Sequence, residues 1–342
     1  MNTKGSHLVY EKDAPLEENT LDWMRSNALA IVVLLALLGV IFFISFIAPS
    51  GYGDKNVVEE NTNVISILSP SFFFEKLDLE AEAYVVFDIK NEKILYAKNG
   101  DAQLPLASLS KIMTAVVARE NLNEQDIIVI QNKDLLTEGD SGLYEGESWY
   151  SKDLTDFTLV VSSNDGASAL ASAVESLRNR ETHKEIRFID LMNDKAMTLG
   201  MNQTYFLNAS GLDIEETTQS GSYGSAYDVT TLFSYTLKEY PEVFARTSEE
   251  EAVFLSIDAI PHLASNTNQE MRGISGVFAS KTGYTDLAGG NLVVGFDAGI
   301  MQPYSIVVLG SSREGRFEDV QKLHDATRAF LNQEISTSLL AK

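Results

Sequence analysis

The first strong hydrophobic signal along the chain is an unbroken one: Ala28 to Ala48 (ALAIVVLLALLGVIFFISFIA) carries no charge over 21 residues. At about 1.5 Å of rise per residue, such a helix spans roughly the 30 Å hydrocarbon core of a bilayer. The run therefore predicts a transmembrane helix. A cleaved signal peptide fits less well, because the polar leader is long and Phe46 and Ala48 do not make a small-x-small cleavage site. Lys4, Lys12 and Arg25 precede the run and only Lys55 follows closely, which places the leader, residues 1–27, in the cytoplasm. Residues 49–78 read as a stalk. It opens on turn chemistry, Pro49-Ser50-Gly51-Tyr52-Gly53-Asp54, and ends near Phe72-Phe73-Phe74, a cluster expected to dock on the domain behind it.

From Ala81 the pattern changes. Ala81 to Ile89 (AEAYVVFDI) and Lys93 to Ala97 (KILYA) are rich in β-branched and aromatic residues and flank a turn at Lys90-Asn91-Glu92, which predicts a hairpin. A helix follows Ser108, burying Ile112, Ala115 and Val116. Helical periodicity continues over Asp153–Val161, then through Ala167, Leu170, Ala173, Val174 and Leu177. It recurs over Glu185–Met201 and Tyr227–Glu239. Strand texture returns at Ser275–Gly283, Asn291–Phe296 and Tyr304–Leu309, and Glu318–Leu331 closes with a helix. Strands at both ends and helices between them predict an α+β domain over residues 79–335: one antiparallel sheet joining the terminal portions, flanked by terminal helices, with a helical subdomain inserted.

Composition narrows the chemistry. A formal charge of −23 argues against nucleic-acid binding, which needs a basic face. With no cysteine, disulfides, thiolate metal sites and cysteine catalysis are excluded. Three short polar patterns remain. In Ser108-Leu109-Ser110-Lys111 the serine and lysine are one helical turn apart and share a face. A lysine in a dry pocket can act as the base that activates a serine hydroxyl. By itself the pattern is equally an N-cap serine beside a surface lysine. Ser162-Ser163-Asn164 stands at a corner between two helices, where Asn164 or Asp165 alone would be a helix cap. Lys281-Thr282-Gly283 ends a strand and, alone, is a turn with a solvated lysine.

Taken together and in this order, the three patterns resemble the motifs of penicillin-binding proteins and class A β-lactamases. The chain is most similar to the low-molecular-weight D-alanyl-D-alanine carboxypeptidases over roughly residues 81–311. The likeness extends to Ala107 and Ile112-Met113-Thr114, Asp165, Met192-Asn193, Leu199-Gly200-Met201, Asn208, Gly211-Leu212-Asp213, Asn266-Thr267-Asn268 and Tyr284-Thr285. The resemblance implies a β-lactamase/DD-peptidase-like fold. It implies Ser108 as the nucleophile on the bond between two D-alanines, Lys111 as its base and Ser162 as a proton relay. It further implies Asn164 holding a substrate amide, and Lys281 and Thr282 binding the terminal carboxylate. Gly283 would let the substrate backbone approach, and the N–H groups of Ser108 and Tyr284 would stabilise the oxyanion. A second lysine would help keep Lys111 neutral. No metal or cofactor is implied. The expected partners are a peptidoglycan stem peptide, β-lactam antibiotics as inhibitors, and the membrane, with the catalytic domain extracytoplasmic on a single-pass anchor.

The chain departs from the family in Phe278-Ala279-Ser280, where relatives often carry a glycine, and in having only about thirty residues after Leu309. A DD-endopeptidase would use the same residues. A class A β-lactamase would need a glutamate on a loop after the second motif; no Glu-x-x-Asn stands there, and the passage from Leu199 to Leu212 reads as peptidase. A Ser-His-Asp hydrolase lacks its signature here, since His7, His183, His262 and His324 sit in no matching context. A catalytically dead wall-binding scaffold is the non-enzymatic alternative. Deleting residues 28–48 is expected to shift the protein from the membrane pellet to the soluble fraction. A deleted chain that still pellets through a carbonate wash would overturn the membrane-helix assignment.

Overall fold

The computed structural model describes residues 69–214, 218–268, 273–299 and 301–340. The expected leader, the segment 28–48 and most of the stalk lie outside the described residues. The first half of the described chain runs α1 (Pro70–Phe74), β1 (Ala83–Asp88), β2 (Lys93–Lys98), β3 (Leu104–Pro105) and α2 (Ser110–Asn121). It continues with β4 (Ile127–Val129), β5 (Ser148–Tyr150), α3 (Ser151–Val160), α4 (Asn164–Thr182) and α5 (Phe188–Thr198). The second half runs β6 (Tyr205–Phe206), β7 (Ser222–Gly224), α6 (Ala226–Glu239), β8 (Glu251–Leu255) and β9 (Pro261–Ser265). It ends with β10 (Val277–Thr285), β11 (Gly289–Asp297), β12 (Pro303–Ser311) and α7 (Gly315–Leu340).

The main sheet is antiparallel in the order β10-β11-β12-β1-β2, so the last three strands and the first two form one surface. Register shows why these segments read as continuous apolar runs. Val85, Val307 and Val293 stand in one row facing the helical side, while Val86, Ile306 and Val294 face the other. Both faces are buried, so the middle positions of the central strands, Ala83–Phe87, Leu292–Val294 and Ile306–Leu309, are apolar. On the outer face, α7 packs Val320, Leu323 and Phe330 into the core that includes Leu292 and Val308. The Phe cluster docks here as expected: Phe74 stacks on Tyr96 at 4.9 Å and Phe73 meets Phe330 edge-on at 5.8 Å.

On the inner face, α2 is the central post. Its residues from Ser110 to Ala118 are all buried. A helix enclosed on every side has no polar face, so its amphipathic signal is weak. Several boundaries move. Strand β10 continues through Thr285, which places Lys281-Thr282-Gly283 inside a strand and not at its turn. Helix α5 is shorter than the Glu185–Met201 periodicity, and α7 is longer than Glu318–Leu331. The β8–β9 hairpin carries no clear alternation in the sequence, because Val253, Leu255 and Leu263 are apolar yet solvent-facing.

One buried carboxylate ties the chain ends of the domain together. Asp319 on α7 accepts from the Glu80 N–H (3.1 Å), the Ala81 N–H (2.9 Å) and the Ser311 hydroxyl (2.7 Å). Asp319→Ala would strand three buried or half-buried donors, at about 3–5 kcal/mol. Urea unfolding should show a lower midpoint at unchanged slope, with Asp319→Asn recovering part of the loss.

Candidate active site

Ser108 lies in a 3-10 turn, Ala107–Leu109, and does not cap α2: the N-cap is Leu109, with no side-chain cap bond. Ala107 takes a left-handed φ of 49°, which a non-glycine residue keeps only where its surroundings hold it. Three contacts do so. Ser110 Oγ donates to the Ala107 carbonyl at 2.7 Å. A Cβ on Gly211 would fall 1.9 Å from that same oxygen, so only glycine lets the 208–213 segment close over the turn. A Cβ on Gly283 would lie 2.9 Å from the Leu106 carbonyl and 3.2 Å from the Ser108 nitrogen. The missing side chain of Gly283 also leaves room for the turn that carries Ser108.

Lys111, one turn into α2, is fully buried. Its Nζ lies 2.8 Å from Ser108 Oγ, 2.7 Å from Asn164 Oδ1 and 2.8 Å from the Ser210 carbonyl. Burial lowers its pKa to about 7. The neutral amine suits this cage. Asn164 Oδ1 and the Ser210 carbonyl are acceptors only and take its two N–H groups, which turns the remaining lone pair toward the Ser108 hydroxyl. The geometry is that of a nucleophile and its general base.

Ser162 occupies the corner between α3 and α4 with φ 62°. The cap of α4 is Ser163, whose Oγ accepts from the Gly166 N–H at 2.8 Å, so neither Asn164 nor Asp165 serves as the cap. Asn164 is thereby free to face inward: its Nδ2 donates to the Glu138 carbonyl (2.6 Å) while its Oδ1 meets Lys111. Asp165 takes the hydroxyls of Thr137 (3.0 Å) and Ser141 (3.1 Å), fixing the 137–141 segment that supplies the Glu138 carbonyl.

The third wall is β10. Lys281 is buried, not solvated, and its Nζ lies 2.8 Å from both Ser162 Oγ and the Thr282 carbonyl. Its pKa is held well below the usual lysine range, first by burial, then by the like charges of Lys111 and Arg316. For Lys111 itself burial alone is the cause, so the like-charge effect expected on Lys111 falls on its partner lysine. Thr282 Oγ1 shares a 2.6 Å bond with Thr267 Oγ1. Tyr284 differs from the others: the residue is 41% exposed, with the Arg313 guanidinium 5.2 Å from its ring centroid.

Ser108, Lys111, Asn164, Ser162, Lys281, Thr282 and Gly283 are thus gathered where the sheet edge meets the helical side, as two Ser–Lys pairs with one shared electrostatic environment. Sequence reasoning missed three contributors. The carbonyls of Ser210 and Glu138 act through the backbone and leave no trace in residue type. Arg316, at the start of α7, donates Nη1 to the Gly283 carbonyl at 2.7 Å, and burial and Arg313 lower its pKa to about 10. A helix start placed at Glu318 left Arg316 outside the element that positions it. Among the described residues, no group of His, Asp and Glu side chains is arranged to hold a metal ion.

Comparison with known proteins identifies a family for the chain. Residues 71–312 match the family described as D-alanyl-D-alanine carboxypeptidase. The chain is 29% identical over 252 residues to the D-alanyl-D-alanine carboxypeptidase DacF of Bacillus subtilis, covering 72% of this chain and 61% of that protein. It is 30% identical over 230 residues to a D-alanyl-D-alanine endopeptidase of Haemophilus influenzae, covering 66% of this chain and 72% of the relative. Among solved structures, penicillin-binding protein D2 of Listeria monocytogenes in its ampicillin-bound form aligns with a TM-score of 0.61 at 28% identity, over 73% of this chain and 98% of that one. The chain thus spans less than two thirds of the Bacillus relative.

The position of the Lys111 pKa sets a pH dependence. Below about pH 7 the amine is protonated and has no lone pair for the Ser108 proton. Acylation of Ser108 by a chromogenic thioester should therefore fall about tenfold per pH unit below that value and level off above it. A rate that stays flat from pH 5 to 8 would remove Lys111 from the role of base.

Proposed function

The chain belongs to the D-alanyl-D-alanine carboxypeptidase family, and on that footing we propose that it removes the terminal D-alanine from peptidoglycan stem pentapeptides through a Ser108 acyl-enzyme. The observation that carries this reading is the Lys111 cage, in which a buried lysine with two pure acceptors presents its remaining valence to Ser108. Ser108 Oγ attacks the carbonyl carbon between the two D-alanines as Lys111 takes its proton. The N–H groups of Ser108 and Tyr284 receive the oxyanion, where losing one such donor typically costs about 3–4 kcal/mol. The intermediate collapses with cleavage of the C–N bond, and the departing amine collects a proton through Ser162. Water then attacks the ester, Lys111 again accepting the proton, and Ser108 is restored.

Lys281, Thr282 and Arg316 bind the terminal carboxylate in this reading. Lys281, whose pKa is lowered first by burial and then by the like charges of Lys111 and Arg316, gains a counter-charge when that carboxylate enters, so the site's electrostatic cost is relieved by the correct substrate. Asn164 keeps one Nδ2 hydrogen available for a substrate amide while the other holds the Glu138 carbonyl. β-Lactams acylate Ser108 in place of the stem. The segment 28–48 anchors the chain in the cell membrane with the catalytic domain outside. Endopeptidase cleavage of cross-links is the second reading, favoured by the identity to the Haemophilus protein.

Two measurements test these readings. A fluorescent penicillin should label the protein, and Ser108→Ala should abolish the label; retained labelling would move the nucleophile elsewhere. Incubation with a pentapeptide ending in D-Ala-D-Ala should release free D-alanine. Cleaved dimers from a cross-linked muropeptide, without D-alanine release from the monomer, would establish the endopeptidase instead.

A further inference from the structure

We propose that Asn291, wholly buried on β11, is a positioning residue for acylation, setting the spacing between the turn that carries Ser108 and the strand that carries Tyr284. The inference rests on the acyl-enzyme reading above, in which each of those two elements supplies one oxyanion donor.

The carboxamide is used at both ends. Its Nδ2 donates to the Pro105 carbonyl at 2.9 Å, and its Oδ1 accepts the Gly310 N–H at 2.9 Å. One partner is an acceptor and the other a donor, so a single orientation of the amide satisfies both. The register of β11 on β12 slips at this point. Gly290 stands opposite Ser311 and Leu292 opposite Val308, which leaves Leu309 and Gly310 facing Asn291 alone. Gly310 takes φ 68° in this bulge, and its N–H finds in Asn291 the partner that a regular ladder would have supplied. The bulge thereby anchors a side chain that reaches from the sheet to the turn.

The other end governs the nucleophile. The Pro105 C=O and the Leu106 N–H belong to one planar peptide unit and point in opposite directions. The Leu106 N–H donates to the Ser222 carbonyl of β7 at 3.1 Å, while the Pro105 carbonyl takes Asn291. This plane is therefore held at both edges, and Leu106 stands two residues before Ser108. In the β10–β11 ladder Asn291 faces Gly283, the residue before Tyr284. One side chain is thus fixed by the strand that bears one donor and fixes the turn that bears the other. Gly283 lets the two elements meet, since a Cβ there would lie 3.2 Å from the Ser108 nitrogen. Contact alone would let them slide past each other; the Asn291 amide stops the slide. An oxyanion hole is sensitive to such a shift, because both donors must lie about 2.7–3.1 Å from one oxygen. A misplacement of about 1 Å can cost about a hundredfold in rate.

The experiment separates binding from acylation. Stopped-flow reaction with a chromogenic cephalosporin gives the dissociation constant of the encounter complex and the rate constant of acylation. A peptidyl boronic acid reads the tetrahedral geometry: Ser108 Oγ adds to boron as Lys111 takes its proton, and a boron-bound oxygen occupies the oxyanion site. Asn291→Ala should slow acylation at least about tenfold and weaken the boronic acid to a similar degree, with the encounter constant within about twofold. Asn291→Ser, whose short hydroxyl reaches at most one of the two partners, should lie between, and it carries the comparison if the alanine variant does not fold. Asp319→Asn is the control for lost stability, because Asp319 holds Glu80, Ala81 and Ser311 and not the turn. It should leave both constants unchanged. A smaller effect of Asn291→Ala, a loss carried by the encounter constant, or an equal loss in Asp319→Asn overturns the positioning role. If no β-lactam acylates the unmodified chain, the acyl-enzyme reading falls and this inference with it. Acylation that proceeds in the unmodified chain and is indifferent to Asn291 sinks the inference alone.

Discussion

A lysine taken wholly out of water, with no carboxylate among its hydrogen-bond partners, is the constraint around which the site is arranged. Lys111 is surrounded by a hydroxyl, a carboxamide and a peptide carbonyl. None of them repays the cost of burying a full charge, so the amine gives up its proton near neutrality. Replacing any of these partners by a carboxylate would restore the cation and remove the base. The same demand explains the packing of α2, whose first nine residues are all buried: exposure of this helix would rehydrate the lysine.

Keeping water away requires elements that are distant in sequence. Asn164 comes from the first turn of α4, Ser210 from the segment after β6, and Lys281 from β10. Each is fixed by a local device that has no chemistry of its own. Ser163 caps α4 and so lets Asn164 turn inward. Gly211 lies against the Ala107 carbonyl, and Gly283 against the turn bearing Ser108. The sheet supplies the rigid frame, because β10 is held through β11 and β12 to β1 and β2, the strands that precede the turn bearing Ser108 in the chain.

The second lysine extends the same principle. Lys281 is buried, and burial first, then the like charges of Lys111 and Arg316, hold its proton loosely. A cavity with several buried cationic groups and little counter-charge is unfavourable when empty and well matched to an anion. On the proposed function, affinity for a terminal carboxylate would arise from the relief of that strain as much as from any single contact.

Much of this was legible in the residues. The three polar patterns and their order singled out Ser108, Lys111, Ser162, Asn164, Lys281 and Thr282, because catalysis at this kind of site depends on side-chain type at short spacing. The β-branched runs 81–89, 291–296 and 304–309 announced a sheet shared by both ends of the domain, since strands buried on both faces are apolar along their middle positions. Other features could not be read locally. The Ser210 and Glu138 carbonyls are backbone groups common to every residue. Arg316 acts from the first turn of a terminal helix, and the hairpin of β8 and β9 hides its alternation behind exposed apolar positions. The sequence by itself determined which groups were available for chemistry. Only the tertiary structure decided that Lys111 is dry enough to be a base and that Lys281 is buried rather than solvated, because desolvation is set by everything that packs around a residue and by nothing in the residue itself.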